Sequence, residues 1–455
     1  MSLVAINPAT GEEIFRATGH RPQQVEAILA DAANAAPAWR DLGVEARCKL
    51  LEQAAQQLDA KRDELANLMS LEMGKLIGEA KAEIEKCAKA CRYYAEHAPG
   101  FLADEPIETD ASRSLVTYQP LGTVLAVMPW NFPFWQAIRC AAPAMAAGNT
   151  VLLKHASNVP QCAVAIERVF EEAGFPEGVF RTLLVGSGAV DDLVADRRIH
   201  AVSLTGSDTA GRAIGKTAGE HLKKSVLELG GSDAFIVLAD ADLDEAVAHG
   251  VKSRFQNAGQ SCIAAKRFIL EDTIADEFLK RFAAAAAELV PGDPRASDTT
   301  LAPMARTDLR DELHAQVTDA IEKGAKVVMG CAPLDRPGAF YAASVLSGIA
   351  PGMRAWEEEL FGPVALAITV SDADAAIEVA NGSPLGLGGT VFTNDKDRGE
   401  ALARRLACGS AFVNGMVKSD PRLPFGGVKD SGYGRELSRH GLMEFVNAKT
   451  LWIGG

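Results

Sequence analysis

The chain has 455 residues, 48% hydrophobic and 23% charged, the balance of an ordinary soluble globular protein with room for roughly two to four domains. Its 60 acidic residues outnumber its 46 basic ones, and the formal net charge of −14 excludes the basic face that nucleic-acid binding requires. The eight cysteines (Cys48, Cys87, Cys91, Cys140, Cys162, Cys262, Cys331 and Cys408) are scattered, without C-x-x-C or paired-histidine spacing, so neither a zinc site nor a disulfide framework is expected and a reducing cytoplasm is the expected setting.

The first residues, Met1 to Pro8, lack the basic and apolar regions of a secretory signal. From Gln23 to about Tyr94 the pattern is helical, with Val25, Ile28, Leu29 and Ala32, then Leu50, Leu51, Ala54 and Leu58, recurring at helical spacing. Arg113 to Gln119 alternates as a strand does. The apolar run from Leu121 to Pro129 predicts a buried strand, Trp135 to Ala147 a helix, and Thr150 to Lys154 the next strand. The most apolar stretch, Cys140 to Leu153, is too short and too interrupted by Pro143, Gly148 and Asn149 to span a bilayer, so no membrane is expected as a partner. Val164 to Ala173 reads as a helix stopped by Gly174. A strand from Phe180 to Val185, a helix, and a strand from Ala201 to Leu204 follow. This alternation predicts a parallel sheet with helices on its faces. A second alternation begins at Ala234: strand Phe235 to Leu238, helix Leu243 to Phe255, strand Arg267 to Leu270, and an alanine-rich helix Ala275 to Leu289. The chain therefore reads as α/β, in two successive units.

Three stretches carry chemistry. Phe255-Gln256-Asn257-Ala258-Gly259-Gln260-Ser261-Cys262 ends in a cysteine preceded by a glycine turn, which suits a thiolate nucleophile whose own N–H is aimed at a developing oxyanion. Val226-Leu227-Glu228-Leu229-Gly230-Gly231-Ser232 places a carboxylate in an apolar run, where desolvation raises its pKa towards that of a general base. Pro129-Trp130-Asn131-Phe132-Pro133 holds an amide that can donate to an oxyanion without bringing a charge. The turn Thr205-Gly206-Ser207-Asp208-Thr209-Ala210-Gly211 follows a strand and opens a helix, a place where phosphate binds, although it also fits a plain strand-to-helix turn. It is neither a Walker A loop, since Arg212-Ala213 stands where Lys-Ser/Thr is required, nor a G-x-G-x-x-G fingerprint.

These stretches, in this order, resemble the aldehyde dehydrogenase superfamily. The likeness runs from Asn7-Pro8-Ala9-Thr10-Gly11 through Glu359-Leu360-Phe361-Gly362-Pro363 to Pro424-Phe425-Gly426-Gly427 and Ser431-Gly432-Tyr433-Gly434-Arg435-Glu436. Within the superfamily the chain looks most like the bacterial succinate-semialdehyde dehydrogenases, on the cue of Leu153-Lys154-His155-Ala156-Ser157. The resemblance implies a Rossmann-type cofactor domain (1–110 and 121–227), an α/β catalytic domain (228–426) and a β-arm for oligomerisation (111–120 and 427–455), assembled as a homodimer or homotetramer.

It also implies the reaction, oxidation of an aldehyde to a carboxylic acid. Cys262 attacks the carbonyl, Asn131 and the Cys262 N–H hold the oxyanion, and Glu228 activates water to hydrolyse the resulting thioester; no metal is needed. Trp130, Asn131, Lys154, His155, Ala156, Ser157, Gly206, Ser207, Leu229, Glu359 and Phe361 are expected around the cofactor. Trp135 and Arg139, four apart on one helical face, and Ser419 are expected at a substrate with a distal carboxylate, with succinate semialdehyde the leading candidate. Arg139 has an alternative as the partner of a core acid. Ser157 stands where many relatives carry a glutamate that would repel a 2′-phosphate, so NADP is the preferred cofactor and NAD remains usable. His155 could add a donor there or simply pack. Another small aliphatic aldehyde is the alternative substrate. A cofactor-independent cysteine hydrolase or acyl transferase would need a partner histidine that no local pattern suggests, and intact Cys262, Glu228 and Asn131 argue against a non-catalytic relative.

Overall fold

Apolar strands that alternate with amphipathic helices build two sheets in the computed structural model, which describes residues 2–455. The first has the order Gly432–Tyr433, Lys224–Glu228, Ile199–Thr205, Thr123–Met128, Thr150–His155, Phe180–Thr182, and every pairing but the first is parallel. Thr123–Met128 and Thr150–His155 are buried along their whole lengths because helices cover both faces. The two-residue period sorts their side chains. Val124 and Ala126 join the core made with helices Val44–Ala60, Ile77–Phe101 and Pro133–Ala146. Leu125 and Val127 face the opposite core, with Ile28 and Leu29 of helix Pro22–Asp41 and Ile214 of helix Asp208–Glu220.

The second sheet has seven strands, in the order Lys326–Met329, Ser344–Ser347, Val364–Val370, Ala265–Glu271, Asp233–Val237, Gly388–Phe392, Ser410–Val413, with only the first pair antiparallel. Here too alternate residues part company. Phe235, Val237, Phe268 and Leu270 pack on one side, and Ala234, Ile236 and Ile269 on the other. A third sheet pairs Arg113–Pro120 with the C-terminal strand Val446–Ile453 and with Glu105–Pro106.

Some elements depart from expectation. Ser2–Ile6 and Glu13–Thr18 form an antiparallel hairpin that periodicity did not signal. Its turn is the quoted Asn7–Gly11 stretch, closed by the Asn7 carbonyl accepting from Gly11 N–H at 2.8 Å and the Asn7 side chain accepting from Ala9 N–H at 3.0 Å. The expected helix from Val164 begins at Pro160, since proline suits the first helical turn, and the strand expected to reach Val185 stops at Thr182. The tail beyond Gly427 does not run to the arm in one piece. Val428–Lys429 pairs with Leu385–Gly386, Gly432–Tyr433 adds an edge to the first sheet, and only Val446–Ile453 reaches Arg113–Pro120. Gly432 and Gly434, at φ of +108° and +79°, supply turns that other residues rarely adopt.

The first sheet brings three strand ends together: Met128 leads into Pro129–Asn131, Thr205 into Gly206–Ser207, and Glu228 closes its own strand, paired with Thr205. Carboxyl ends of parallel strands are where open α/β sheets bind ligands. The helices behind them are anchored by buried acids. Glu72 accepts from Gln161 and Cys162 N–H at the start of one helix, both at 2.9 Å. Glu83 accepts from Phe134 and Trp135 N–H at 3.0 and 2.9 Å and is ion-paired with Lys75, both side chains being buried. The helix macrodipole favours a carboxylate at this end. Because Glu83 neutralises Lys75 and caps the helix that follows Asn131, Glu83→Ala should cost about 3–5 kcal/mol of unfolding free energy, measured by urea titration. A Lys75→Met/Glu83→Met double variant should recover part of that loss, because no buried charge is then left alone.

Candidate active site

Cys262 sits on a loop held from inside. After helix Leu243–Phe255 the chain passes through Asn257, Ala258 and Gly259 at φ of 54°, 53° and 72°. For Ala258 the left-handed conformation costs about 1–2 kcal/mol, so the loop must be fixed by its surroundings. Buried Arg254 donates to the Gly259 carbonyl at 2.6 Å and the Ala265 carbonyl at 3.2 Å. Lys266, 0% exposed, donates to the Ser261 and Cys262 carbonyls at 2.8 and 2.7 Å and pairs with Glu359 at 2.8 Å. The Asn257 amide donates to the Asn131 carbonyl at 2.8 Å and the Gln260 carbonyl at 3.1 Å, which ties this loop to the end of the first sheet.

The thiol stands between two cavities. One, of about 250 Å³, is lined by Trp130, Asn131, Gly206, Ser207, Leu229, Glu359 and Phe361; the other by Lys86, Trp135, Arg139, Ser419 and Phe425; Cys262 and Gln136 line both. The Asn131 side chain donates to the Gln260 carbonyl at 3.0 Å and accepts from the Gln136 amide at 3.1 Å. That orients the amide and leaves one N–H for a ligand oxygen. Burial pushes the Cys262 thiol up to about 12, against the pull of Lys266 and Arg139, so the resting nucleophile is protonated at neutral pH.

Glu228 is buried, and neither of its carboxylate oxygens has a hydrogen-bond partner among the described residues. Burial, then the negative charge of Glu436, raises its pKa well above the usual carboxylate range, while Arg139 and Arg435 pull it down. Gly426 explains how the backbone passes so close: a Cβ there would lie 2.6 Å from Glu228 Oε1. Desolvation of this kind strengthens a carboxylate as a base.

Of the expected cofactor residues, Trp130 and Phe361 meet edge to face at 5.9 Å in the first cavity. Ser207 caps helix Asp208–Glu220 by accepting from Ala210 N–H at 3.3 Å, and Gly206 N–H donates to the Glu228 carbonyl at 3.0 Å. The Leu229 N–H is committed to the Ser431 carbonyl at 3.0 Å, so its carbonyl is the group left for a ligand. A Cβ at Gly230 would lie 2.6 Å from Glu359 Oε2, so only glycine leaves that carboxylate its place. Lys154, Ala156 and Ser157 line a neighbouring cavity with Trp130 and the N-terminal hairpin. A helix N-terminus, two aromatic rings, a buried lysine and a carboxylate fit the phosphates, rings and ribose of a nicotinamide dinucleotide.

His155 does not point there. Its ring is buried, with Nε2 at 2.9 Å from the Pro133 carbonyl and Nδ1 accepting from Ala156 N–H at 2.8 Å, and burial pushes its pKa down to about 4. Both ring nitrogens are used by the backbone, so the packing alternative holds and His155 is corrected from ligand to scaffold. Arg139 is engaged in part. It lines the second cavity, but its Nε is paired with buried Glu436, its Nη2 donates to Thr205 at 3.2 Å, and its guanidinium lies 4.8 Å from the Phe425 ring centre. The core ion pair is present, and Nη1, with no hydrogen-bond partner among the described residues, remains available to the cavity that Arg139 lines. Ser419 lines the same cavity and accepts from Lys86 Nζ at 2.6 Å.

A family model described as "Aldehyde dehydrogenase family" matches residues 2–451. The chain belongs to the aldehyde dehydrogenase family. A Synechocystis sp. protein named "Probable succinate-semialdehyde dehydrogenase [NADP(+)]" is 51% identical over 453 residues, with both chains covered in full. An Escherichia coli succinate semialdehyde dehydrogenase [NAD(P)+] is 48% identical over 449 residues, covering 99% of this chain and 97% of the other. The crystal structure of succinic semialdehyde dehydrogenase from Streptococcus pyogenes in complex with NADP+ superposes with a TM-score of 0.97 at 39% identity, each chain covered in full.

In this aldehyde dehydrogenase several site residues escaped the sequence reading. Lys266 and Gln136 belong to no motif, and only the structure shows what they hold. Asn257 lay inside the quoted cysteine run and Glu436 at the end of the quoted Gly434-Arg435-Glu436, so their positions were visible but their partners were not. The protonated thiol makes a direct prediction. Alkylation of Cys262 by iodoacetamide, followed by mass spectrometry of its peptide, should accelerate about tenfold per pH unit from 7 to 10 without a plateau, as expected below the pKa of a thiol. A plateau below pH 9 would mean that the resting site already holds a thiolate.

Proposed function

We propose that this NAD(P)-dependent aldehyde dehydrogenase oxidises succinate semialdehyde to succinate, with NADP preferred over NAD. The observation that carries the reading is the Cys262 thiol at the junction of a cofactor-shaped cleft and a second pocket walled by Trp135, Ser419 and basic side chains. The relatives named above point the same way. The Cys262 sulfur adds to the aldehyde carbon, and the thiol proton must leave as it does so. The free Asn131 N–H and the Cys262 N–H hold the oxygen as it gains charge. The bound nicotinamide supplies the two-electron oxidant. The acyl group then remains on Cys262 as a thioester, and Glu228 takes a proton from the water that hydrolyses it. Desolvation suits Glu228 to that task, since it strengthens the carboxylate as a base.

Lys154 and Ser157 support the cofactor preference. Lys154 is buried, its pKa is lowered by burial, and no carboxylate pairs with it among the described residues, so an anionic phosphate is a fitting partner. We also propose a cofactor domain of 1–110 and 121–227, a catalytic domain of 228–426 and an arm of 111–120 and 427–455, with assembly as a homodimer or homotetramer. The C-terminal strand Val446–Ile453 is an open sheet edge carrying exposed Trp452 and Ile453, which suits pairing with a second copy. A cytoplasmic location agrees with eight free cysteines. No helix among the described residues is long and apolar enough to cross a membrane.

The direct test is a panel of succinate semialdehyde and butanal against NADP and NAD, in which succinate semialdehyde with NADP should give the highest kcat/KM. Glu228→Gln should show a burst of reduced cofactor followed by slow turnover; burst and steady rate falling together would remove Glu228 as the deacylation base. Ser157→Glu should lose at least about tenfold in kcat/KM for NADP, or about 1.4 kcal/mol, and keep its NAD activity. An unchanged NADP efficiency would show that Ser157 does not set the choice.

A further inference from the structure

Arg139 is engaged by Glu436 through Nε and by Thr205 through Nη2, so a distal carboxylate entering the second cavity meets only part of its guanidinium and leaves room for a second positive partner. The cations lining that cavity are Arg139, Lys86 and Lys418. Lys418 is exposed, and so is a hydrated charge of little discriminating power. Lys86 is different. It belongs to helix Ile77–Phe101, is half-buried, and its Nζ lies 4.2 Å from the Trp135 ring centre while donating to Ser419. It has no carboxylate partner among the described residues.

The acids nearby are already committed. Glu83, one turn away on the same helix, holds Lys75 and the Phe134 and Trp135 N–H groups. Asp420, on the loop that carries Ser419, holds Arg422 at 2.7 Å. An ammonium taken out of water without a counter-ion is unfavourable, and a ligand carboxylate offsets that cost. Trp135 and Ser419, both expected at the substrate, are the two groups that hold Lys86. Trp135 supports the cation through its ring face, and Ser419 fixes the direction of Nζ.

We propose that Lys86 is a second cation, beside Arg139, that pairs with the distal carboxylate of the substrate; this rests on the reading of the substrate given above. Lys86 then acts as a specificity-determining residue. Arg139 in addition balances Glu436 beside Glu228. The charge on Lys86 is also conditional on pH. Burial lowers its pKa to about 8, helped by Arg139 and opposed by Cys87, Glu83 and Asp420, which are the charged and titratable groups that bear on it from its own helix, from helix Pro133–Ala146 and from the loop at 419–422. Discrimination by charge should therefore fade as pH rises through 8, where the ammonium loses its proton.

The experiment reads the ratio of kcat/KM for succinate semialdehyde to that for butanal, in wild type, Lys86→Met and Lys86→Arg. A ratio for one enzyme sample does not depend on its active fraction, so partial misfolding cancels. The ratio should fall at least thirtyfold in Lys86→Met, mainly through KM for succinate semialdehyde, and stay within tenfold of wild type in Lys86→Arg. The wild-type ratio should decline above pH 8, and the Lys86→Arg ratio should not. A wild-type preference that survives in Lys86→Met overturns the role of Lys86 and leaves the substrate reading standing. A Lys86→Arg ratio as low as that of Lys86→Met assigns the effect to shape and overturns the charge pairing. A wild-type ratio near one overturns the substrate reading and this inference with it.

Discussion

The buried ammonium of Lys266 joins the parts of the site. It lies on strand Ala265–Glu271 with no exposure to solvent, donates to the Ser261 and Cys262 carbonyls, and is ion-paired with the Glu359 carboxylate. A charge in the interior is tolerated only when its donors are all met. The nucleophile loop and the carboxylate expected at the nicotinamide ribose are therefore not independent. Moving either one would strand the ammonium. The same cation lowers the thiol's pKa against the much larger effect of burial. Asn257 extends the linkage to the other sheet through the Asn131 carbonyl, so the backbone at the oxyanion donor and the loop before the sulfur share one hydrogen-bonded frame.

Desolvation is the second organising constraint, and it acts on two acids at once. Glu228 and Glu436 are both buried, both have raised pKa values with burial as the first cause, and both feel the guanidinium of Arg139. Arg139 is paired with Glu436, with Ser203 donating to that carboxylate at 3.4 Å. Glu228 is thereby left without a fixed partner. An ion pair of Arg139 with Glu228 would lower the pKa of Glu228 and hold it still, which is the opposite of what a base that must reach a water requires. Glu436 removes that competitor. This accounts for an arginine close to the proposed base that does not neutralise it.

Much of this was legible in the sequence, and what was missed has a common physical cause. The strands Thr123–Met128, Thr150–His155 and Asp233–Val237 were readable because central parallel strands are apolar throughout. Helix Leu243–Phe255 was readable from its place in the second alternation of strands and helices. Cys262, Glu228 and Asn131 stood out because each is a residue whose chemistry is unusual for its surroundings. The pairing of Arg139 with Glu436 was not legible, since the two lie far apart in the chain and either could have met a ligand. His155 was ambiguous for the same reason, as only the fold shows that the Pro133 carbonyl and Ala156 N–H take its two nitrogens. The hairpin at the N-terminus was hidden because its strands are mostly exposed or half-exposed and carry little hydrophobic pattern. The course of the tail before Val446 was hidden because its pairings there are two-residue strands set by glycine turns.

The chain as a whole is strongly acidic, with a net charge of −14, so an anionic substrate and cofactor approach against an unfavourable mean field. The two ends of the site reverse that field locally. Lys154 lies at the cofactor end and Lys86 at the substrate end, each with its pKa lowered by burial and neither matched to a carboxylate among the described residues. Between them sit the thiol and the paired Arg139–Glu436, which contribute no net positive charge. Unpaired cations within a few ångströms of an anion outweigh a diffuse negative charge that salt screens over about 10 Å. In the proposed reading, the site meets the charge at each end of its reactants with one buried or half-buried ammonium. Binding of either anion also relieves a desolvated ammonium, so the loaded protein should be more stable than the free one.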